Sequence, residues 1–176
     1  MPISADTLRA QVAALYRAAG LPDRHAALVA DTLVRADMWG HPSHGVMRAP
    51  WYLERVRNGV MNPHTEVVRL VDGGAIALVD GREGVGQVIA RDAMLDAVAR
   101  AQRHGVGVVS VRNSNHHGAL GYFTRLAAKA GCIGMLAANG GPAMAPWGGR
   151  RMAVGTNPWS IARPAGRHPR MLLHIA

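Results

Sequence analysis

Residues 66–79, EVVRLVDGGAIALV, decide the fold class, because the chain changes there from helical to extended patterning. Two short runs rich in β-branched residues flank Asp72-Gly73-Gly74, a turn sequence typical of a β-hairpin. Helix and strand patterns alternate after the hairpin. The sequence therefore predicts an α/β fold with a helical N-terminal segment over residues 1–60 and an incomplete α/β domain over residues 61–176.

Helical periodicity dominates the chain before the hairpin. Ser4 can cap a first helix, and apolar residues recur every three or four positions in the segments that follow. The predicted helices cover residues 4–17, 22–39, 47–57, 85–103 and 119–130. Two further strands are predicted over residues 106–111 and 133–138, and residues 171–176 predict a buried strand. Because a domain rarely ends on such a strand, we expect the chain to be part of a longer protein.

The composition is that of a globular protein, with 49% hydrophobic and 18% charged residues. The single cysteine, Cys132, excludes a disulfide framework and fits a reducing cytoplasm. No apolar run reaches the ~18 residues that a membrane span needs. We therefore expect a cytoplasmic protein with no membrane partner.

The net charge of +9 is distributed unevenly along the chain. Residues 1–96 carry ten arginines and eleven acidic residues, whereas residues 97–176 carry nine arginines, one lysine and no acidic residue. Only Arg163, Arg167 and Arg170 approach a cluster, and aromatic stacking residues are few. The sequence therefore predicts no nucleic-acid partner.

Two familiar motifs are incomplete. Gly84-Val85-Gly86 follows a strand and precedes a helix, but Ile89 stands where the dinucleotide-binding fingerprint needs a third glycine or alanine. His41-Pro42-Ser43-His44 places two imidazoles three positions apart, but proline breaks the helix that such metal-binding pairs share. The sequence predicts neither a standard Rossmann site nor a metal site.

Polar side chains gather at two junctions. His44, Arg48 and Tyr52 are spaced to share one face of a helix, where a guanidinium could bind a carboxylate and an imidazole could exchange a proton. A solvated helix face, with Ser43 as its cap, explains the same pattern. His116 and His117 lie between a strand and a helix, where open α/β sheets place ligands, although a loop histidine bonded to backbone is the alternative. Residues 139–142 follow the next strand, so their loop is expected beside the first.

These stretches in combination resemble the malate/L-lactate dehydrogenase family, which includes ureidoglycolate dehydrogenases and related imino-acid reductases. The resemblance runs from about Ile3 to Ala176. It rests on three motifs: Ser43-His44-Gly45 with Arg48 and Tyr52, His116-x-Gly118 followed by Gly121-Tyr122, and Gly155-Thr156-Asn157-Pro158.

The resemblance implies a fold other than the usual Rossmann arrangement, and hydride transfer between NAD or NADP and C2 of a small 2-hydroxy or 2-imino acid, in homodimers. It implies a histidine as the proton carrier and leaves open whether this is His116, the first candidate, or His44. The implied substrate-binding residues are Ser43, Arg48, Tyr52 and Gly140. The implied cofactor-binding residues are Thr156, Asn157, Pro158, His174, Ile175 and Ala176.

Two departures from the family pattern stand out. Family members are about twice this length, and His174 stands where the family usually carries an aspartate. The alternative to an enzyme is therefore a non-catalytic remnant that acts at most as a binding or dimerisation module.

Overall fold

The computed structural model describes residues 3–175, and the chain forms two compact units. The first unit ends at Ala119 and the second begins at Leu120. The helices are α1 (Ala5–Ala18), α2 (Asp23–Met38), α3 (Ala49–Arg57), α4 (Gly86–His104) and α5 (Gly121–Lys129). The strands are β1 (Val68–Gly73), β2 (Ile76–Gly84), β3 (Val108–Ser114), β4 (Gly134–Ala137), β5 (Trp159–Arg163) and β6 (Met171–Ile175).

The five predicted helices are confirmed, with ends shifted by one or two residues. Ser4 caps α1 as expected, because its hydroxyl accepts a hydrogen bond from the Thr7 N–H at 3.1 Å. Gly20, just past α1, has φ +95°, a left-handed conformation that glycine adopts at little cost. The division of the chain at residue 60 stays a prediction.

The first unit packs its helices beside a three-stranded sheet in the order β1-β2-β3. The predicted hairpin is confirmed, with β1 antiparallel to β2 around Gly73 and Ile76. Strand β3 is parallel to β2 and is reached through α4. The hydrophobic core includes Tyr16, Leu33, Tyr52 and Val88, each at most 2% exposed. Complete burial of an apolar side chain of this size contributes about 1.5–3 kcal/mol.

A buried guanidinium joins the hairpin to α4. Arg100 is 1% exposed and donates from Nη1 to Asp72 Oδ1 at 2.7 Å and to the Gly74 carbonyl at 2.5 Å. Its Nε donates to Asp96 Oδ1 at 3.1 Å. These bonds hold the pKa of the Asp72 carboxyl well below its usual range, chiefly through Arg100 and then through Arg69.

The second unit is an antiparallel sheet in the order β4-β5-β6, with α5 packed on β4 and β5. Strand β5 was not assigned from sequence. The strand predicted over residues 171–176 is confirmed for Met171–Ile175, and Ala176 lies outside the described residues. In this chain the strand is partly exposed, with Met171 49% and Ile175 46% exposed. The only partner strand of β6 in the described part of the chain is β5, along one edge.

Candidate active site

The segment that carries His44 and Arg48 consists of two short 3-10 turns, Pro42–His44 and Val46–Arg48. The intervening Gly45 is extended, with φ −88° and ψ −157°. The predicted continuous helix face is therefore wrong for His44 and Arg48, because α3 begins only at Ala49. Ser43 does not cap α3 either, and its hydroxyl lies 3.0 Å from Nδ1 of His44.

Asp37, near the end of α2, holds this segment in place. Its Oδ2 accepts a hydrogen bond from the Val46 N–H at 2.9 Å. A Cβ at Gly45 would overlap the same carboxylate, so only glycine fits while this bond persists. Sequence analysis missed Asp37, because a lone aspartate at a helix end carries no signal for a bond to a loop nine residues away.

His116 lies at the centre of an aromatic cluster in the first unit. Its ring centroid is 5.7 Å from that of His44 in a stacked arrangement and 5.5 Å from that of Trp51, edge to face. The Tyr52 hydroxyl lies 2.5 Å from His116 Nδ1, and the Gly118 backbone N–H donates to the same nitrogen at 3.2 Å. The structure therefore brings His44, Tyr52 and His116 together.

The environment of His116 keeps its imidazole neutral. Burial lowers the pKa of His116 to about 4, and the positive charges of His117, Arg48 and Arg55 act in the same direction. Burial also raises the pKa of Tyr52 well above its usual range, although Arg48, Gln87 and Arg55 oppose this rise. Both groups are thus uncharged at neutral pH.

Arg48 is held by one end of its guanidinium. Its Nε donates to the Ser43 carbonyl at 2.6 Å, and Cζ lies 5.8 Å from the centre of the Trp51 ring. Within residues 3–175, no protein group accepts a hydrogen bond from its two Nη atoms. These Nη atoms offer two parallel donors to a carboxylate.

Asn115 is a second residue that sequence analysis left without a role. It is 5% exposed, and its Nδ2 lies 2.9 Å from the Glu83 carbonyl, 3.2 Å from that of Gly84 and 3.3 Å from that of Val60. Its Oδ1 accepts from Arg55 at 2.6 Å. These bonds fix the backbone immediately before His116. The only available signal was its place beside the histidine pair.

Gly86, considered above as part of a nucleotide fingerprint, has a packing role. A Cβ at this position would overlap the backbone carbonyl oxygens of Asn115 and His116. The glycine therefore lets the first turn of α4 lie against the loop that carries His116.

The second unit groups several residues predicted to bind the cofactor. The Gly140 N–H donates to Asn157 Oδ1 at 3.2 Å, and a Cβ at Gly155 would overlap the Gly140 carbonyl. Asn157 has φ +47°, a left-handed conformation that asparagine tolerates better than most residues. Gly140, Thr156 and Asn157 thus share one region, and the Pro158 carbonyl accepts from the Ala138 N–H at 3.0 Å.

The loop after β4 was expected beside the His116 loop on the assumption that the two strands before these loops share one sheet. These strands, β3 and β4, belong to different sheets, so the assumption does not hold. His174 and Ile175 lie on β6, paired with Ser160 and Trp159 of β5. The cofactor roles of Thr156, Asn157, Pro158, His174 and Ile175 stay predictions, and Ala176 lies outside the described residues.

No group of three or more His, Cys, Asp or Glu side chains within residues 3–175 could hold a metal ion. None of the helices in the described part of the chain is long and apolar enough to cross a membrane.

Comparison with known proteins agrees with the sequence motifs. The family model for malate/L-lactate dehydrogenase matches residues 3–176. Malate dehydrogenase of Pyrococcus abyssi is 40% identical over 170 residues, which cover 97% of this chain and 47% of that protein. Ureidoglycolate dehydrogenase (NAD(+)) of Escherichia coli K12 is 38% identical over 164 residues, covering 93% of this chain and 47% of that protein.

The solved structure of malate dehydrogenase from Pyrococcus horikoshii OT3 superposes with a TM-score of 0.96 at 38% identity. The match covers 100% of this chain and 50% of that one, so the chain spans about half the length of the relatives it matches. The agreement of motifs, family model and fold leads to one conclusion: the chain belongs to the malate/L-lactate dehydrogenase family.

Proposed function

We propose that this chain supplies the substrate-binding and proton-transfer residues of an NAD- or NADP-dependent oxidoreductase that acts on a small 2-hydroxy acid and its 2-oxo or 2-imino counterpart. The observation that carries this proposal is the pairing of a neutral, half-buried His116 with a guanidinium whose Nη atoms have no protein acceptor among the described residues. Two relatives are a malate dehydrogenase and an L-sulfolactate dehydrogenase, and malate and sulfolactate are 2-hydroxy acids, which supports this substrate class.

Arg48 binds the substrate carboxylate in this proposal. Its Nε bond to the Ser43 carbonyl orients the guanidinium, so that the two Nη donors can meet two carboxylate oxygens. The ring of Trp51 lies beside the guanidinium. A bidentate contact of this kind fixes the acid and so the position of its C2.

His116 exchanges a proton with the oxygen on C2. Its Nδ1 is occupied by Tyr52 and Gly118, so Nε2 is the nitrogen available to the substrate. A positioned imidazole typically contributes about 100- to 10,000-fold to such a step. His44 is the competing proton carrier, because its ring stacks on His116 and its Nδ1 likewise meets a hydroxyl.

The residues of the second unit fit a nicotinamide cofactor. A Cβ at Gly141 would meet nothing within 4 Å, so a ligand can approach the backbone of the exposed glycine loop. Thr156, Asn157 and Pro158, with His174 and Ile175, would hold the cofactor. The nicotinamide ring supplies the acceptor or donor of the hydride at C2. His174 offers an imidazole in place of the carboxylate usual in the family.

An assay of the purified 176-residue protein tests this proposal, with NADH or NADPH and a panel of 2-oxo acids. We expect turnover far below the order of 10 per second typical of enzymes, because relatives have about twice this length. His116→Ala should abolish that turnover, while His168→Ala, an exposed histidine, should leave it unchanged. Turnover that survives His116→Ala but not His44→Ala would assign the proton to His44.

The second candidate function is a non-catalytic binding or dimerisation module. We further propose a homodimer, as the family resemblance implies, and sedimentation equilibrium tests it. A dimer that neither binds a 2-oxo acid nor oxidises NADH or NADPH would favour this alternative. A monomer that turns over a 2-oxo acid would exclude it.

A further inference from the structure

The two contacts at His116 Nδ1 determine which nitrogen of the ring carries hydrogen. A backbone N–H can only donate, so the Gly118 N–H at 3.2 Å requires a lone pair on Nδ1. The Tyr52 hydroxyl at 2.5 Å must then donate to the same lone pair. A neutral imidazole that accepts at Nδ1 carries its hydrogen on Nε2.

Tyr52 is suited to this role by its burial. It is 1% exposed and part of the hydrophobic core, so its ring cannot swing out to another partner. Gln87, also 1% exposed, lies close enough to lower the pKa of Tyr52, and its Nε2 has no hydrogen-bond partner among the described residues. The hydroxyl is thus set between an imidazole and an amide in a dry environment.

We propose that Tyr52 is a positioning residue that, together with the Gly118 N–H, holds His116 as the tautomer with hydrogen on Nε2. The inference rests on the proposed function for the role of His116, and it replaces the direct substrate contact expected of Tyr52 from sequence. Nε2–H and the Arg48 guanidinium then offer the ligand only donors. This pair matches the carbonyl and carboxylate oxygens of a 2-oxo acid.

The two partners of Nδ1 differ once the ring is protonated. Nδ1 then becomes a donor; the Tyr52 hydroxyl can rotate to accept its hydrogen, whereas the Gly118 N–H cannot. The charged groups around the ring, His44 and His117 when protonated, Arg48 and Arg55, are all positive. Tyr52 is therefore the group that can accept a hydrogen bond from the protonated ring. This bond stabilises the imidazolium during a proton transfer, because hydrogen bonds to charged groups are roughly twice as strong as neutral ones.

Nitrogen-15 NMR of the 176-residue protein at pH 7 tests the tautomer. The ring signals of His116, assigned with His116→Gln, should show hydrogen on Nε2. A hydroxyl proton shifted far downfield by the short bond should vanish in both Tyr52→Phe and His116→Gln and persist in His168→Gln. Hydrogen on Nδ1, or no such hydroxyl signal in the wild-type protein, would overturn the inference.

A titration separates positioning from mere packing. Tyr52→Phe keeps the ring in the core, and its fold is checked by the amide spectrum. Loss of the acceptor should make His116 at least tenfold harder to protonate, and an unchanged or easier protonation contradicts the proposal. Pyruvate should perturb Nε2 in the wild-type protein; if the tautomer is confirmed and pyruvate has no effect, the proposed function fails and the tautomer assignment stands.

Discussion

The Asp37 carboxylate accepts a hydrogen bond at 2.9 Å from the backbone N–H of Val46, nine positions further along the chain. This bond connects α2 to the segment that carries His44 and Arg48. Gly45 lies so close to the carboxylate that a Cβ there would overlap it. The position of two proposed site residues therefore depends on a carboxylate that binds the backbone between them.

Gly45→Ala and Asp37→Ala should destabilise the protein through the same bond. Loss of a hydrogen bond to a charged group costs about 1.5–3 kcal/mol, and a Cβ at residue 45 forces the carboxylate away. In a denaturant double-mutant cycle, Gly45→Ala should cost much less when Asp37 is already alanine. Gly73→Ala, where a Cβ meets only an ordinary 3.6 Å contact, is the matched control. Additive effects of the two substitutions would disprove the coupling.

Asn115→Ala should destabilise the loop before His116. The substitution leaves the buried carbonyl of Gly84 and the Arg55 guanidinium without their partner, at about 1–3 kcal/mol for each buried unsatisfied group. Urea unfolding measures the loss, and hydrogen exchange at Gly118 should accelerate. Asn139→Ala, at an exposed position, serves as the control. Equal stability of both variants would contradict the role assigned to Asn115.

The stability of the protein should depend on pH through His116. The pKa is about 4 in the folded protein and ordinarily about 6.5 in an unfolded chain. Between these values only the unfolded state binds the proton, so stability falls as pH decreases from about 6.5 to about 4, by up to about 3 kcal/mol. His116→Gln should flatten this part of the pH profile, and His168→Gln should not. If His116→Gln leaves the pH profile unchanged, burial does not lower the pKa of this histidine.

The Asp72–Arg100 pair should affect stability in a lower pH range. The folded pKa of Asp72 is depressed, so its contribution is present above the unfolded value, about 3.9, and is lost as pH falls below it. Asp72→Asn should therefore destabilise the protein fully at pH 7, and the penalty should shrink progressively as pH falls below about 3.9. Asp6→Asn, whose side chain is 95% exposed, is the control. A constant penalty across this range would contradict the assignment.

Arg48→Lys should weaken the binding of a 2-oxo acid about tenfold or more, because an ammonium cannot reproduce two parallel donors. Calorimetric titration with pyruvate or oxaloacetate measures the change. Arg57→Lys, an exposed change at the end of α3, should have no effect. Unchanged affinity in Arg48→Lys would remove the carboxylate contact from the proposed site.

Local signals predicted the helices and the first hairpin well, because capping, periodicity and turn chemistry act over a few residues. Ser4 and Asp72-Gly73-Gly74 are examples. The separation of the strands into two sheets depends on contacts between residues far apart in the sequence. Local patterns do not report such contacts, and β5 was missed for that reason. The helix face proposed for His44, Arg48 and Tyr52 was wrong in its geometry, since an extended Gly45 interrupts it.

The sequence indicated which residues the candidate site contains better than it indicated how these residues contact one another. Motif resemblance singled out both His116 and Tyr52, yet their bond joins residues 64 positions apart and no periodicity indicates it. Asp37 and Asn115 escaped notice because each acts on backbone atoms, which every residue possesses. Only tertiary structure shows which backbone groups such side chains reach.

The contact of Gly86 with the carbonyls of Asn115 and His116 limits how this region can respond to a ligand. Gly86 has no side chain, so the start of α4 and the loop that carries His116 are in direct backbone contact. No side chain between them can change rotamer to accommodate a displacement. The loop backbone cannot move closer to α4 unless the 19-residue helix shifts with it. Adaptation to ligands of different size therefore falls to rotation of the imidazole and guanidinium side chains, on a scaffold that stays fixed.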